Sequence, residues 1–148
     1  MSELFTAVHG RKVVSRASAE ELGTVSHLLV DTKARRVVSL VVGKRRKALL
    51  VDWEALSGLG VDAVMVTDEA SLREPRDDGD EAAARGHLEL LGRRALSDQG
   101  NELGKIDDVS FDPENGGLEA IIVGDDEHPA SSLLGAGSYA VILHSDNS

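Results

Sequence analysis

Few side chains in this 148-residue chain are of a kind that does covalent chemistry, and their spacing does not group them. There is no cysteine, which removes thiolate nucleophiles, disulfides and thiolate zinc sites together. The five histidines are His9, His27, His87, His128 and His144, and none stands in a nucleophile motif such as G-x-S-x-G. Ser26 and His27 adjoin in sequence, but neighbours on a strand point to opposite faces. Asp125-Asp126-Glu127-His128 offers oxygen and imidazole ligands, yet consecutive acids on a turn do not converge as EF-hand ligands do. Asp107, Asp108, Asp112 and Glu114 fail the same comparison. No phosphate-cradling loop exists, because the glycines sit at turns and strand ends. These patterns supply no catalytic residue, no metal site and no cofactor site, and the chain is expected not to be an enzyme.

Binding residues are easier to find. Lys44-Arg45-Arg46-Lys47 is the densest basic run, and Lys33, Arg35 and Arg36 precede it. Such a cluster can track phosphates, or it can be a solvated turn whose cations discourage edge pairing. Aromatic residues make up 3% of the chain, so the stacking platforms that accompany nucleic-acid surfaces are missing. Nucleic acid is therefore not the expected partner. Trp53, the sole tryptophan, follows an apolar strand and fits a core plug better than an interface anchor.

The charge is unevenly spread. Residues 1–66 hold ten Lys and Arg against seven Asp and Glu, a net of +3; residues 67–148 hold six against nineteen, a net of −13. Nothing in the N-terminal stretch reads as a signal peptide, and no run of about 18 apolar residues could span a membrane. A cytoplasmic location is expected.

The elements that position these residues come in duplicate. Leu22 to Asp31 followed by Val37 to Gly43 reads as a β-hairpin, and Leu103 to Asp112 followed by Leu118 to Gly124 repeats it at identical spacing. A short strand precedes each hairpin, at Lys12 to Ser15 and at Arg94 to Ser97, and another closes each repeat, at Asp62 to Thr67 and Tyr139 to His144. The paired apolar positions Val25/Ile106, Leu28/Val109 and Val30/Phe111 change parity. One extra residue is needed to keep them on one face, so β-bulges are predicted near Ser26-His27 and Asp107-Asp108. Gly23 and Gly104 end the connectors ahead of the hairpins, where an unusual backbone angle is expected. After Gly43 and Gly124 the repeats diverge. The second has about four residues fewer, corresponding to Ala48 to Val51, so its next strand is expected to be missing. Asp68 to Gly86 is charged and reads as a linker with one helical turn at Glu81 to Arg85.

A family resemblance rests on Gly10-Arg-Lys-Val-Val, Leu22-Gly-Thr-Val, Leu28-Leu-Val-Asp, Val37 to Gly43 and Gly60-Val-Asp-Ala-Val. The second copy matches through Gly92-Arg-Arg-Ala-Leu, Leu103-Gly-Lys-Ile, Val109-Ser-Phe-Asp, Ile121-Ile-Val-Gly and Gly137-Ser-Tyr-Ala-Val. Together these resemble the PRC-barrel family over most of the chain outside the linker. The resemblance implies a small, strongly bent β-barrel in each repeat. The family includes the cytoplasmic part of the photosynthetic reaction-centre H subunit and the C-terminal domain of a ribosome maturation factor that binds a ribosomal protein. Its shared theme is docking onto other proteins, without a known enzymatic centre.

The expected architecture is thus all-β: two tandem, small, strongly bent barrels, the second shortened. Residues 1–68 and 87–148 are the repeats and 69–86 the linker. The expected function is a non-enzymatic protein-interaction or assembly scaffold that self-associates as a homodimer or higher. The alternative is a ribosome- or RNA-associated factor using the basic hairpin. Interaction candidates are Arg35, Arg36, Lys44, Arg45, Arg46, Lys47 and Trp53. Ile121, Ile122 and Val123 join them as an open strand edge where a partner could add.

Overall fold

A computed structural model describes residues 2–43, 47–86 and 89–145. In chain order its elements begin with β1 (Glu3–Leu4), a single helical turn α1 (Phe5–Val8), β2 (Lys12–Ser15), β3 (Glu21–Asp31) and β4 (Arg36–Val42). Next come β5 (Leu49–Asp52), β6 (Leu56–Leu59), β7 (Ala63–Val66) and helix α2 (Asp78–Ala84). The second repeat supplies β8 (Arg94–Ser97), β9 (Glu102–Phe111), β10 (Leu118–Val123), β11 (Asp126–Pro129), β12 (Leu133–Ala136) and β13 (Val141–Leu143).

The strands form two sheets, with the order β5-β4-β3-β2-β7-β6 in the first and β11-β10-β9-β8-β13-β12 in the second, where the N-terminal β1 also pairs with β9. The two orders are the same once the strands are numbered within their repeats. In both, the first strand pairs parallel with the last, Lys12 to Ser15 with Ala63 to Val66 and Ala95 to Ser97 with Val141 to Leu143. By contacts the chain divides into two compact units. One holds residues 7–29 and 37–89; the other holds residues up to 6, the hairpin tip 30–36, and the chain from 90 onward.

Duplication reaches single hydrogen bonds. Gly10 donates its N–H to Val25 O at 2.7 Å and Gly92 to Ile106 O at 2.8 Å, and both glycines have φ near +80° (+83° and +78°). The next residue, Arg11 or Arg93, donates its guanidinium to the carbonyl of Gly60 or Gly137 respectively, the glycine that precedes the closing strand. Ser15 and Ser97 are both buried and accept backbone N–H groups at the turn that follows.

Long strands stay on one face by means of bulges. In β9, Asp108 faces Ile122 and Ile106 faces Val123, so Asp107 is the inserted residue and Ile106 and Val109 are both buried. A further insertion lies at Leu22 opposite β2 and at Leu103 opposite β8. The adjoining glycines, Gly23 at φ +154° and Gly104 at φ +129°, take up the distortion.

The strand expected to be absent from the second repeat is present. β11 pairs with β10 from Ala120↔Pro129 to Val123↔Asp126, as β5 pairs with β4 from Ser39↔Asp52 to Val42↔Leu49. The shortening falls in the turn between the paired strands. β11 reads Asp-Glu-His-Pro and is mostly exposed, so it has no apolar periodicity by which sequence could reveal it.

The helix ahead of the second repeat is longer than the single turn expected. Asp77 caps it by accepting the Asp80 N–H at 2.8 Å, and Ala83 and Ala84 bury themselves with Val41, Ala48 and Leu50.

Candidate functional site

The expected interaction residues fall in different settings. Arg35 has φ +54°, donates its Nε to Leu133 O at 3.1 Å, and accepts the Leu118 N–H on its own carbonyl at 2.8 Å. Arg36 bridges to Gly117. These two arginines thus help fix the hairpin tip within its unit. Lys47 is exposed, while Lys44, Arg45 and Arg46 lie outside the described residues. Trp53 is half-buried and opens a short 3-10 turn, Trp53 to Ala55.

Ile121 to Val123 do not form an open edge. Ile121 and Val123 are buried, Ile122 is half-buried, and β10 is paired by β9 on one side and β11 on the other. The reason is the retained strand β11, which takes the place a partner would have filled. The edges among the described strands are β5 and β6 in one sheet and β11, β12 and the two-residue β1, which pairs only with β9, in the other.

The outer side of β5 is covered. Leu50 and Arg73 exchange backbone hydrogen bonds of 2.8 Å in each direction. The Arg73 guanidinium then grips Asp52 at 3.0 Å and Asp80 at 2.7 Å. Asp52 also accepts from Ser39 Oγ at 2.9 Å. Hydrogen bonds from Arg73 hold the Asp52 and Asp80 carboxyls below their usual range, and the two acids raise Arg73 in turn. Two hydrogen-bonded ion pairs therefore pin both the covering segment and α2 onto this strand.

A second cluster was not legible as such in the sequence. Glu89 is 7% exposed and accepts the Leu28 N–H at 2.9 Å. His9 Nε2 lies 3.4 Å from its Oε1, and His27 Nδ1 lies 3.3 Å from its Oε2. The two imidazoles meet edge-on with centroids 6.2 Å apart. Gly86, at φ +81°, leaves room for the His27 ring, since a Cβ there would lie 2.7 Å from it. A cleft of about 590 Å³ lies alongside, lined by His9, Thr24, Ser26, His27 and Arg85 among others. The histidines approach different carboxylate oxygens, and among the described residues no three acids or histidines are placed to hold a metal ion. What this geometry does is anchor the segment after α2 onto β3. The available signal was a lone acid inside the apolar run Leu88-Glu89-Leu90-Leu91.

In the second repeat, His144 Nδ1 lies 2.7 Å from Asp98 Oδ2, and this bond holds the Asp98 carboxyl below its usual range. A cleft of about 540 Å³ runs beside β11, with Asp126, Glu127 and His128 on its wall. No described helix is long and apolar enough to cross a membrane.

Comparison with the curated proteins found no match. A family model described as PRC-barrel domain matches residues 3–73 and again residues 88–141.

Proposed function

This chain belongs to the PRC-barrel domain family, and on that premise we propose that it is a non-enzymatic protein-interaction and assembly scaffold of two such domains, able to bind further copies of itself. The functional parts are residues 1–68 and 87–148, with 69–86 between them. The same reading assigns it to the cytoplasm.

The observation that carries this reading is opposite charge on a duplicated frame. The repeats share strand order and hydrogen bonds, yet residues 1–68 hold ten Lys and Arg against eight Asp and Glu, a net of +2, and residues 87–148 hold three against twelve, a net of −9. At hairpin positions where the first repeat has Lys33 the second has Glu114. A chain whose two repeats carry opposite net charge suits head-to-tail association, in rings or open chains. Charge of this kind steers encounter and selects register.

Light scattering during size exclusion across a salt series tests it. Oligomers that dissociate as salt screens the opposed charges are expected. A strict monomer at every salt, together with no partner recovered from its native cell, would reject the scaffold.

A further inference from the structure

The two repeats differ in what covers the outer side of the second hairpin's last strand. In the first, residue 73 pairs with Leu50, its guanidinium holds Asp52, and α2 packs against the same strand. In the second, β11 has β10 on one side, and no other described strand or bridge pairs with it.

Register identifies the exposed bonding groups. Leu50 faces Val41 and Glu127 faces Ile122, and Val41 and Ile122 hold the same place in their repeats. Leu50 turns its N–H and C=O away from β4 to reach Arg73. In an antiparallel ladder the facing direction follows from the pairing, so Glu127 turns its own pair away from β10. Pro129 lacks an N–H, which limits addition to the single bridge at Glu127, the length used in the first repeat.

Charge sets the chemistry of the occupant. Asp125, Asp126 and Glu127 are all exposed, where β5 carries Leu49 and Leu50. The cleft beside β11 gives flanking side chains a place to lie.

We propose that the outer edge of β11 is a docking site for an extended, basic segment of a partner protein, which adds at Glu127 as residue 73 adds at Leu50. Backbone bonds supply the pairing, and arginine or lysine side chains meet the three carboxylates. The inference rests on the scaffold reading and deepens it by naming the surface and the kind of partner.

An acetylated, amidated peptide of alternating arginine and valine, titrated into the full chain, tests the site by amide NMR. The Glu127 and His128 signals are expected to shift saturably, and a glutamate-for-arginine version of the peptide is expected to leave them in place. Glu127→Pro removes the edge N–H; Glu127→Lys keeps the backbone and reverses the charge. Each is expected to weaken binding at least about tenfold. Equal binding to the parent and both variants, or shifts confined to other residues, overturns the site. Glu127 shifts that grow with protein concentration and need no peptide would give the edge to a second copy and also overturn it. Light scattering reads self-association separately, so persisting oligomers with no peptide binding reject this site while leaving the scaffold reading intact.

Discussion

The carboxylate of Glu89 accepts the backbone N–H of Leu28 at 2.9 Å, although 61 residues separate them in sequence. A strand N–H thus bonds to a buried side chain rather than to a neighbouring strand, and His9 and His27 close around the same carboxylate. Replacing Glu89 by Leu leaves that N–H without its acceptor and removes the carboxylate that His9 Nε2 and His27 Nδ1 approach at 3.4 and 3.3 Å. A loss of about 3 kcal/mol in urea unfolding is expected for Glu89→Leu, and a smaller one for Glu89→Gln, which keeps an acceptor oxygen.

Two glycines in equivalent places should differ in tolerance from a third. A Cβ on Gly23 would lie 2.8 Å from Val42 Cγ1, and one on Gly104 would lie 3.2 Å from Val123 Cγ1. Gly10 needs a positive φ but has open space around it. Gly23→Ala is expected to cost about 2–3 kcal/mol and Gly10→Ala about 1 kcal/mol, because only the first adds a clash to the backbone strain. Thermal denaturation that ranks them equally would contradict the packing argument.

Arg73 predicts the acid response. Asp52 and Asp80 have depressed folded-state pKa values, chiefly through hydrogen bonds from Arg73. Such groups add stability above their unfolded value of about 3.9 and lose it as pH falls through the lower folded value. Acidification below about pH 4 is expected to loosen α2, read as faster hydrogen exchange at Ala83 and Ala84. Arg73→Ala is expected to cost about 1–2 kcal/mol at neutral pH, allowing for partial exposure of the pairs, and to flatten that acid-induced loss.

Phe5 predicts the weight of the N-terminal segment. It is fully buried and packs edge-on against Phe111 with centroids 5.5 Å apart at 70°. Ser2 and Thr6 add hydrogen bonds to Glu119 and Asp108 of the same unit. Phe5→Ala is expected to cost about 3–4 kcal/mol, and Phe5→Leu less, since it retains most of the buried volume. Chemical denaturation of the full chain followed by tyrosine emission from Tyr139 reports on this unit.

By itself the sequence determined the duplication, the strand pattern and the bulge at Asp107. These follow from local rules: a period of two, glycine where φ is positive, and Asn115-Gly116 at a tight turn. It also contained the signatures that place the chain in its family, because Gly10-Arg11 and Gly92-Arg93 are conspicuous as residues in series. It could count the four residues missing after Gly124 but not locate them. A polar edge strand such as Asp126 to Pro129 has no apolar face, so only hydrogen-bond pairing shows it to be a strand. Tertiary structure alone decided that Ile121 to Val123 lie on a strand paired on both sides, that Arg73 seals β5, and that Glu89 reaches Leu28. Each of these depends on groups far apart in sequence meeting in space, where burial forces polar atoms to find partners that periodicity cannot name.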